Sequence, residues 1–304
     1  MLSFKEFTNK LVDCLKENIS KNVEISVATD TKSNISNAVS LVFENGSDLS
    51  PSITINRCYQ EEYLKKKRSI QEIAEEIKES YEQSQKVPFN ASVDTFKDYE
   101  FVKKNSYIKL LNYEKNTEYL KDKIYDRIED LAAVYCVSVI SDDHKMGTIS
   151  VTDKYLEALN ISKEQFREDA LINMKETTNL QSISEVIGDF PFTDDADMYI
   201  LSNRNMVNGA GQILASDVAE KLLNLDKGDE FFVFPSSVHE LIFLPVNKFS
   251  YEDLDYLKSL VTSINETEVS NADFLSNSVY MYNARNRKFS LAENKEKEEE
   301  YEMR

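Results

Sequence analysis

The chain has 304 residues, 41% of them hydrophobic, and carries 54 Asp and Glu against 36 Lys and Arg, a formal charge of −18. That is enough apolar material for one large or two modest cores, and the acidic balance argues against direct binding to nucleic acid or to an anionic membrane surface. Cys14, Cys58 and Cys136 are odd in number and far apart, no CxxC is present, and only His144 and His239 offer imidazole. Neither a disulfide framework nor a structural zinc site is expected from that set. No metal and no cofactor is called for, and a reducing, cytoplasmic setting fits. The opening MLSFKEF lacks the basic and apolar regions of a secretory leader, and no run reaches the 18 or so apolar residues of a membrane span.

In chain order, Ser3 and Glu6 have the spacing of a capping box, with Leu2 placed to staple against Phe7. Phe4, Phe7, Leu11, Leu15 and Ile19 recur at helical spacing and predict a buried stripe. Strands are predicted at Val23 to Ala28, Ala38 to Phe43 and Ile53 to Arg57, with a turn at Asn45-Gly46. Ser69 and Glu72 open a second helix whose inner face is Ile70, Ile73, Ala74, Ile77 and Tyr81. Its outer face is acidic, as a solvated face is.

After a less regular stretch over 86–106, a strand is predicted at Tyr107 to Leu111 and a short helix from Glu114 to Lys123. LAAVYCVSVI, Leu131 to Ile140, is the most apolar run and suits a central strand, with Cys136 as a small buried hydrophobe. Asp142-Asp143-His144 resembles a ligand cluster but reads more simply as a hairpin turn before a strand from Gly147 to Val151. Ser162 and Gln165 open a further helix. Asp194, Asp195 and Asp197 lack the ordered spacing and the glycine of a calcium loop.

Chemistry is best sought between Met198 and Pro245. A strand, Met198 to Leu201, leads to Asn208-Gly209-Ala210-Gly211. That loop lacks the third glycine of a dinucleotide fingerprint and the Gly-Lys-Ser/Thr of a Walker loop. A turn that needs a positive φ is the plainer reading. Asp217 and Glu220 suggest a capped helix with Val218, Leu222 and Leu225 inward and Gly228 as a left-handed C-cap. Phe231 to Phe234 and Val238 to Leu244 then predict two strands around the turn Pro235-Ser236-Ser237.

Within that hairpin His239 and Glu240 are adjacent, and Ser236 or Ser237 with His239 could supply a nucleophile and a base. Successive strand residues point to opposite faces. His239 would then lie with Leu241 and Phe243, and Glu240 with Val238, Ile242 and Leu244, so the two could not converge on one proton. Neither serine sits in a GxSxG elbow. Ser237, His239 and Glu240 therefore stand as weak catalytic candidates beside a structural reading.

Further on, a helix is predicted from Phe249-Ser250 with Asp253 at the box position and Leu254, Leu257, Val261 and Ile264 inward. Val279 to Asn283 and Arg287 to Phe289 suit a closing hairpin. From Ala292 the acidic tail has no apolar period and reads as frayed or disordered.

The segments DLAAVYCVSV, TISVTDKYLEALNISKEQF, MYILSNRNMVNGAGQILA, FFVFPSSVHELIFLP and NETEVSNADFLSNSVYMYN, in that order, resemble the bacterial family catalogued as domain of unknown function 5688. The C-terminal half is also similar to the uncharacterised family numbered 1444. The resemblance implies a cytoplasmic protein of anaerobic Gram-positive bacteria and carries no established activity. Pro235, Ser236, Ser237, His239 and Glu240 match its most recognisable motif.

The expectation is an α+β protein with mixed, mostly antiparallel sheet and flanking amphipathic helices, the C-terminal half more α/β-like. The regions expected are 1–125, 126–291 and a tail over 292–304. The function expected is that of a soluble cytosolic protein-interaction module with an unknown protein partner, binding neither nucleic acid nor membrane. The rivals are a hydrolase using Ser237 and His239, and an acidic inhibitor of a nucleic-acid-binding protein.

Overall fold

The computed structural model describes residues 1–46, 50–86, 93–141, 145–187, 198–248 and 253–293. By contacts the chain divides into two units. One comprises Met1–Phe101 with Ile140–Gly147, the other Val102–Val139 with Thr148–Arg304. Asp142, Asp143, His144, Asp194, Asp195, Asp197 and the Phe249-Ser250 helix start lie outside the described residues.

The first unit opens on α1 (Phe4–Asn18). The reciprocal box is formed: the Glu6 amide donates to Ser3 Oγ, and the Ser3 amide donates to the Glu6 carboxylate at 2.8 Å. Those bonds satisfy donors that a helix start otherwise leaves open. β1 (Glu24–Lys32) and β2 (Ile35–Glu44) form an antiparallel hairpin, extended by β3 (Ser52–Thr54). Both long strands run further than their apolar residues indicate. They reach a two-residue turn in which Asn34 takes φ 62°, a conformation that asparagine tolerates. A π-helical segment, Cys58–Lys65, then leads to α2 (Ile70–Lys86), again started by a Ser69–Glu72 box.

Phe7, Leu11 and Leu15 of α1 are fully buried in one cluster with Leu41, Phe43, Ile73, Ile77 and Tyr81. Each such side chain contributes about 1.5–3 kcal/mol by leaving water. Phe43 and Tyr81 stack with centroids 4.7 Å apart. Tyr59 and Tyr63 pack against Phe7, and their hydroxyls bond the backbone of Leu2. The apolar rings thus fill the core while their polar ends hold the chain start.

The second unit begins within α3 (Tyr99–Asn105). β4 (Ser106–Asn112) pairs with β6 (Leu131–Ser141), after α4 (Thr117–Leu120) and β5 (Tyr125–Ile128). β5 also pairs with β6, as does β7 (Lys145–Ser150). The apolar run is therefore central, and Leu131 to Val137 are all buried. Helices α5 (Asp153–Leu159) and α6 (Lys163–Thr177) come next, α6 capped by Ser162 onto the Gln165 amide. Tyr135 stacks on Phe166 of α6.

A six-stranded sheet completes the unit. It takes β8 (Thr178–Ser182), β9 (Tyr199–Asn203), β10 (Glu230–Ser237), β11 (Glu240–Pro245), β12 (Tyr280–Asn283) and β13 (Lys288–Leu291) in the order β13-β12-β10-β11-β9-β8. Every pairing in it is antiparallel. Its helices are α7 (Ile183–Ile187), α8 (Val218–Leu225) and α9 (Leu254–Thr267). The architecture is α+β with mostly antiparallel sheets.

Several local expectations change. Asp217 precedes α8 but makes no side-chain cap. Its carboxylate instead receives the Thr178 hydroxyl at 3.1 Å and pairs with Lys221 at 2.9 Å. The α8 C-cap is Asp226, in extended conformation, and the Gly228 amide donates to its carboxylate, so no left-handed glycine ends the helix. Leu225 and Ile264 face outward, at 46% and 43% exposure. The inner position next to Ile264 goes to Asn265, which is buried and donates to Ser276 O. Ala292 is buried and its amide donates to Val279 O, so ordered packing continues to the first residue of the expected tail. No helix among the described residues is long and apolar enough to cross a membrane.

Candidate functional site

The sequence places the hairpin turn at Pro235-Ser236-Ser237. In the structure β10 continues through Ser237, a register shift follows Phe234, and Ser237 pairs with Glu240. The turn is therefore Val238-His239. His239 is a turn residue and does not share a strand face with Leu241 and Phe243. A bulge of this kind re-aims the side chains next to it, which alternation along a regular strand does not reveal.

Three other segments hold that turn. The Val238 amide donates to Asp273 O at 2.8 Å, and Val238 O accepts from the Ala210 amide. His239 O accepts from Ser202 Oγ at 2.7 Å. The imidazole, with a third of its side-chain surface exposed, has Nδ1 3.1 Å from the Asn208 amide and Nε2 3.1 Å from Asp273 Oδ1. A ring nitrogen that accepts a hydrogen bond carries no proton. Nδ1 accepts from Asn208, so the proton of the neutral ring sits on Nε2 and points at Asp273. Asp273 is fixed in turn by Ser270, whose hydroxyl donates to Oδ2 at 2.8 Å.

Ser237 Oγ accepts from the His239 amide at 3.0 Å, a local turn bond, and makes no hydrogen bond with the imidazole. Ser236 Oγ donates to Glu240 Oε1 at 3.2 Å. His239 and Glu240 thus take different partners. The structure gathers Ser236 with Glu240, and His239 with Asn208 and Asp273.

Asn208 itself has φ 54°, as does Met206 at 55°, while neither Gly209 nor Gly211 has a positive φ. The loop does need left-handed backbone, but at Asn208 and Met206. The glycines answer a different demand. A Cβ on Gly209 would press on Ser202 Oγ and on the backbone of Asn203 and His239, and one on Gly211 would overlap the Ile108 carbonyl. Close backbone approach requires glycine there. The Asn208 side chain goes on to donate to Tyr107 Oη at 3.4 Å, and Tyr107 bonds Thr148 at 2.8 Å. Burial pushes the Tyr107 hydroxyl well above its usual range. A polar path therefore runs from Ser270 through Asp273, His239, Asn208 and Tyr107 to Thr148.

Asp273 and Tyr107 are not found by sequence reasoning, whereas Asn208 stands in a loop that the sequence singles out. Asp273 stands 34 residues from His239, and Tyr107 stands 101 from Asn208. The only local cue is Ser270-Asn271-Ala272-Asp273, where a serine three before an aspartate suits a side-chain-bonded turn. Among the described residues no group of three or more His, Cys, Asp or Glu is placed to hold a metal ion.

No curated protein and no solved structure matches the chain. The model of a family of unknown function, DUF5688, matches residues 4–284, and the chain belongs to that family.

Proposed function

We propose that the protein is a non-enzymatic, cytosolic interaction module in which His239 is an internal fastener. The observation that carries this reading is the imidazole's hydrogen-bond pattern. Both ring nitrogens are engaged within the protein, and a general base must keep a lone pair within reach of the proton it removes. A surface for the partner is available on α9. Tyr256, Leu260 and Ile264 are 67%, 39% and 43% exposed and recur at i, i+4 and i+8, on one face of that helix. On a chain of net charge −18, the complementary partner is a protein with an apolar strip edged by Lys and Arg.

A pull-down with parent and Leu260→Asp baits from the native host tests the reading. A partner retained by the parent and lost by the variant is expected. Equal capture by both baits removes α9 from the account.

One observation favours a second reading. Asp273 supplies the distant carboxylate that a hydrolase with Ser237 and His239 needs. In that reading the Asn208 amide must first release Nδ1. A fluorophosphonate probe is expected to label neither the parent nor His239→Gln. Stoichiometric labelling of the parent at Ser237, lost in the variant, establishes the hydrolase in place of the module.

A further inference from the structure

β4 sets Tyr107 and Lys109 on one face of its sheet, opposite Cys136 and Val134 of β6. Lys109 is only 5% exposed. Its ammonium has one hydrogen-bond partner, the Tyr119 hydroxyl at 3.5 Å, and lies 5.4 Å from the centre of the Tyr119 ring. No carboxylate among the described residues is within ion-pair distance of it. Other partly buried lysines of the unit do find one: Lys163 pairs with Asp126 at 2.6 Å and Lys221 with Asp217 at 2.9 Å. In a chain with 54 acids to 36 bases, this buried cation has no counter-charge among the described residues. A desolvated ion is costly unless something pairs with it.

The groups around Lys109 are hydrogen-bond donors. The Tyr119 and Ser150 hydroxyls are 2.5 Å apart, and Ser150 Oγ is 3.8 Å from Cys136 Sγ. The Lys123 ammonium lies 5.6 Å from the centre of the same Tyr119 ring but is already paired with Asp122 at 2.7 Å. Tyr119 and Ser150 are half-buried and Thr148 is exposed, so the cluster meets solvent on the β7 side. The Lys109 ammonium and two hydroxyls form a donor set for an oxyanion, and an ionised acceptor makes the strongest bonds to such donors. Burial pushes the Cys136 thiol up, with Lys109 acting in the opposite direction. The thiol is therefore a neutral wall of the cluster, not its missing anion.

We propose that Lys109, Tyr119 and Ser150 form a binding site for the carboxylate or phosphate group of a small molecule, entered beside Thr148. The probes are sodium acetate and sodium phosphate, each compared with sodium chloride at matched ionic strength, with thermal midpoint and calorimetric titration of the full chain as readouts. One of the two anions is expected to raise the parent's midpoint beyond the chloride control, and which one does so distinguishes a carboxylate from a phosphate ligand. Lys109→Met is expected to weaken that anion at least tenfold while raising the midpoint in chloride, because an apolar side chain of similar length needs no counter-ion. Ser150→Ala, which keeps the cation, is expected to weaken it at least threefold. A parent that responds to neither anion, or an equal response in parent, Lys109→Met and Ser150→Ala, overturns the site.

Discussion

The helix-and-hairpin core of the first unit and the His239 turn of the second are held by different forces. In the former, Phe7, Leu11 and Leu15 meet Leu41, Phe43, Ile73 and Ile77, and what matters is apolar area removed from water. In the latter, Val238 and His239 are fixed by directed bonds to Ser202, Asn208, Ala210 and Asp273. Apolar burial tolerates exchange of one side chain for another of similar volume. A bonded turn does not, because each group removed leaves a buried partner unmade.

The largest effect is expected in the apolar region. Leu11→Ala should cost about 2–5 kcal/mol in a urea titration, since a fully buried leucine leaves a cavity that its neighbours cannot fill. A loss below 1 kcal/mol would show that the first unit can repack around the gap. Next comes Gly211→Ala, expected to cost about 1–3 kcal/mol or more, because the new methyl overlaps the Ile108 carbonyl and the obstacle is backbone.

Within the turn, Asp273→Ala should cost about 1–3 kcal/mol by leaving the His239 Nε2–H and the Ser270 hydroxyl without their acceptor. His239→Gln should cost no more than about 1 kcal/mol, as an amide can restore one of the two ring bonds. If His239→Gln proves the more damaging of the two, the turn is held by ring packing, and the contrast between the two regions fails. The smallest effect is expected at Leu225→Ser, within about 0.5 kcal/mol, because that leucine is nearly half exposed.

The first region was legible in the sequence because its signals are local. Ser3 with Glu6 and Ser69 with Glu72 announce helix starts three residues apart, and Phe7, Leu11 and Leu15 announce a face at a spacing of four. The central position of Leu131 to Ile140 was legible for the same reason: an unbroken apolar run needs cover on both faces. The turn was not. Its bulge after Phe234 shifts His239 out of the strand alternation, and its anchors come from segments 30 to 40 residues away. Asp217 shows how such contacts override a local signal. It stands at a cap position, yet Lys221 and Thr178 draw its carboxylate away from the helix amides. Leu225 fits the helical period but is the last residue of α8, while in α9 the buried face continues through Asn265 and leaves Ile264 on the exposed side with Tyr256 and Leu260.

The fastener role of His239 rests on the protonation pattern of its ring. Long-range ¹⁵N–¹H correlation spectra of the His239 imidazole at neutral pH read it directly. A ring protonated at Nε2, with Nδ1 unprotonated and a scalar coupling across the hydrogen bond from the Asn208 backbone amide to Nδ1, is the result predicted by the bonds to Asp273 and Asn208. A ring protonated at Nε2 with no coupling from the Asn208 amide to Nδ1 would contradict the fastener and leave on Nδ1 the free lone pair that the hydrolase reading requires.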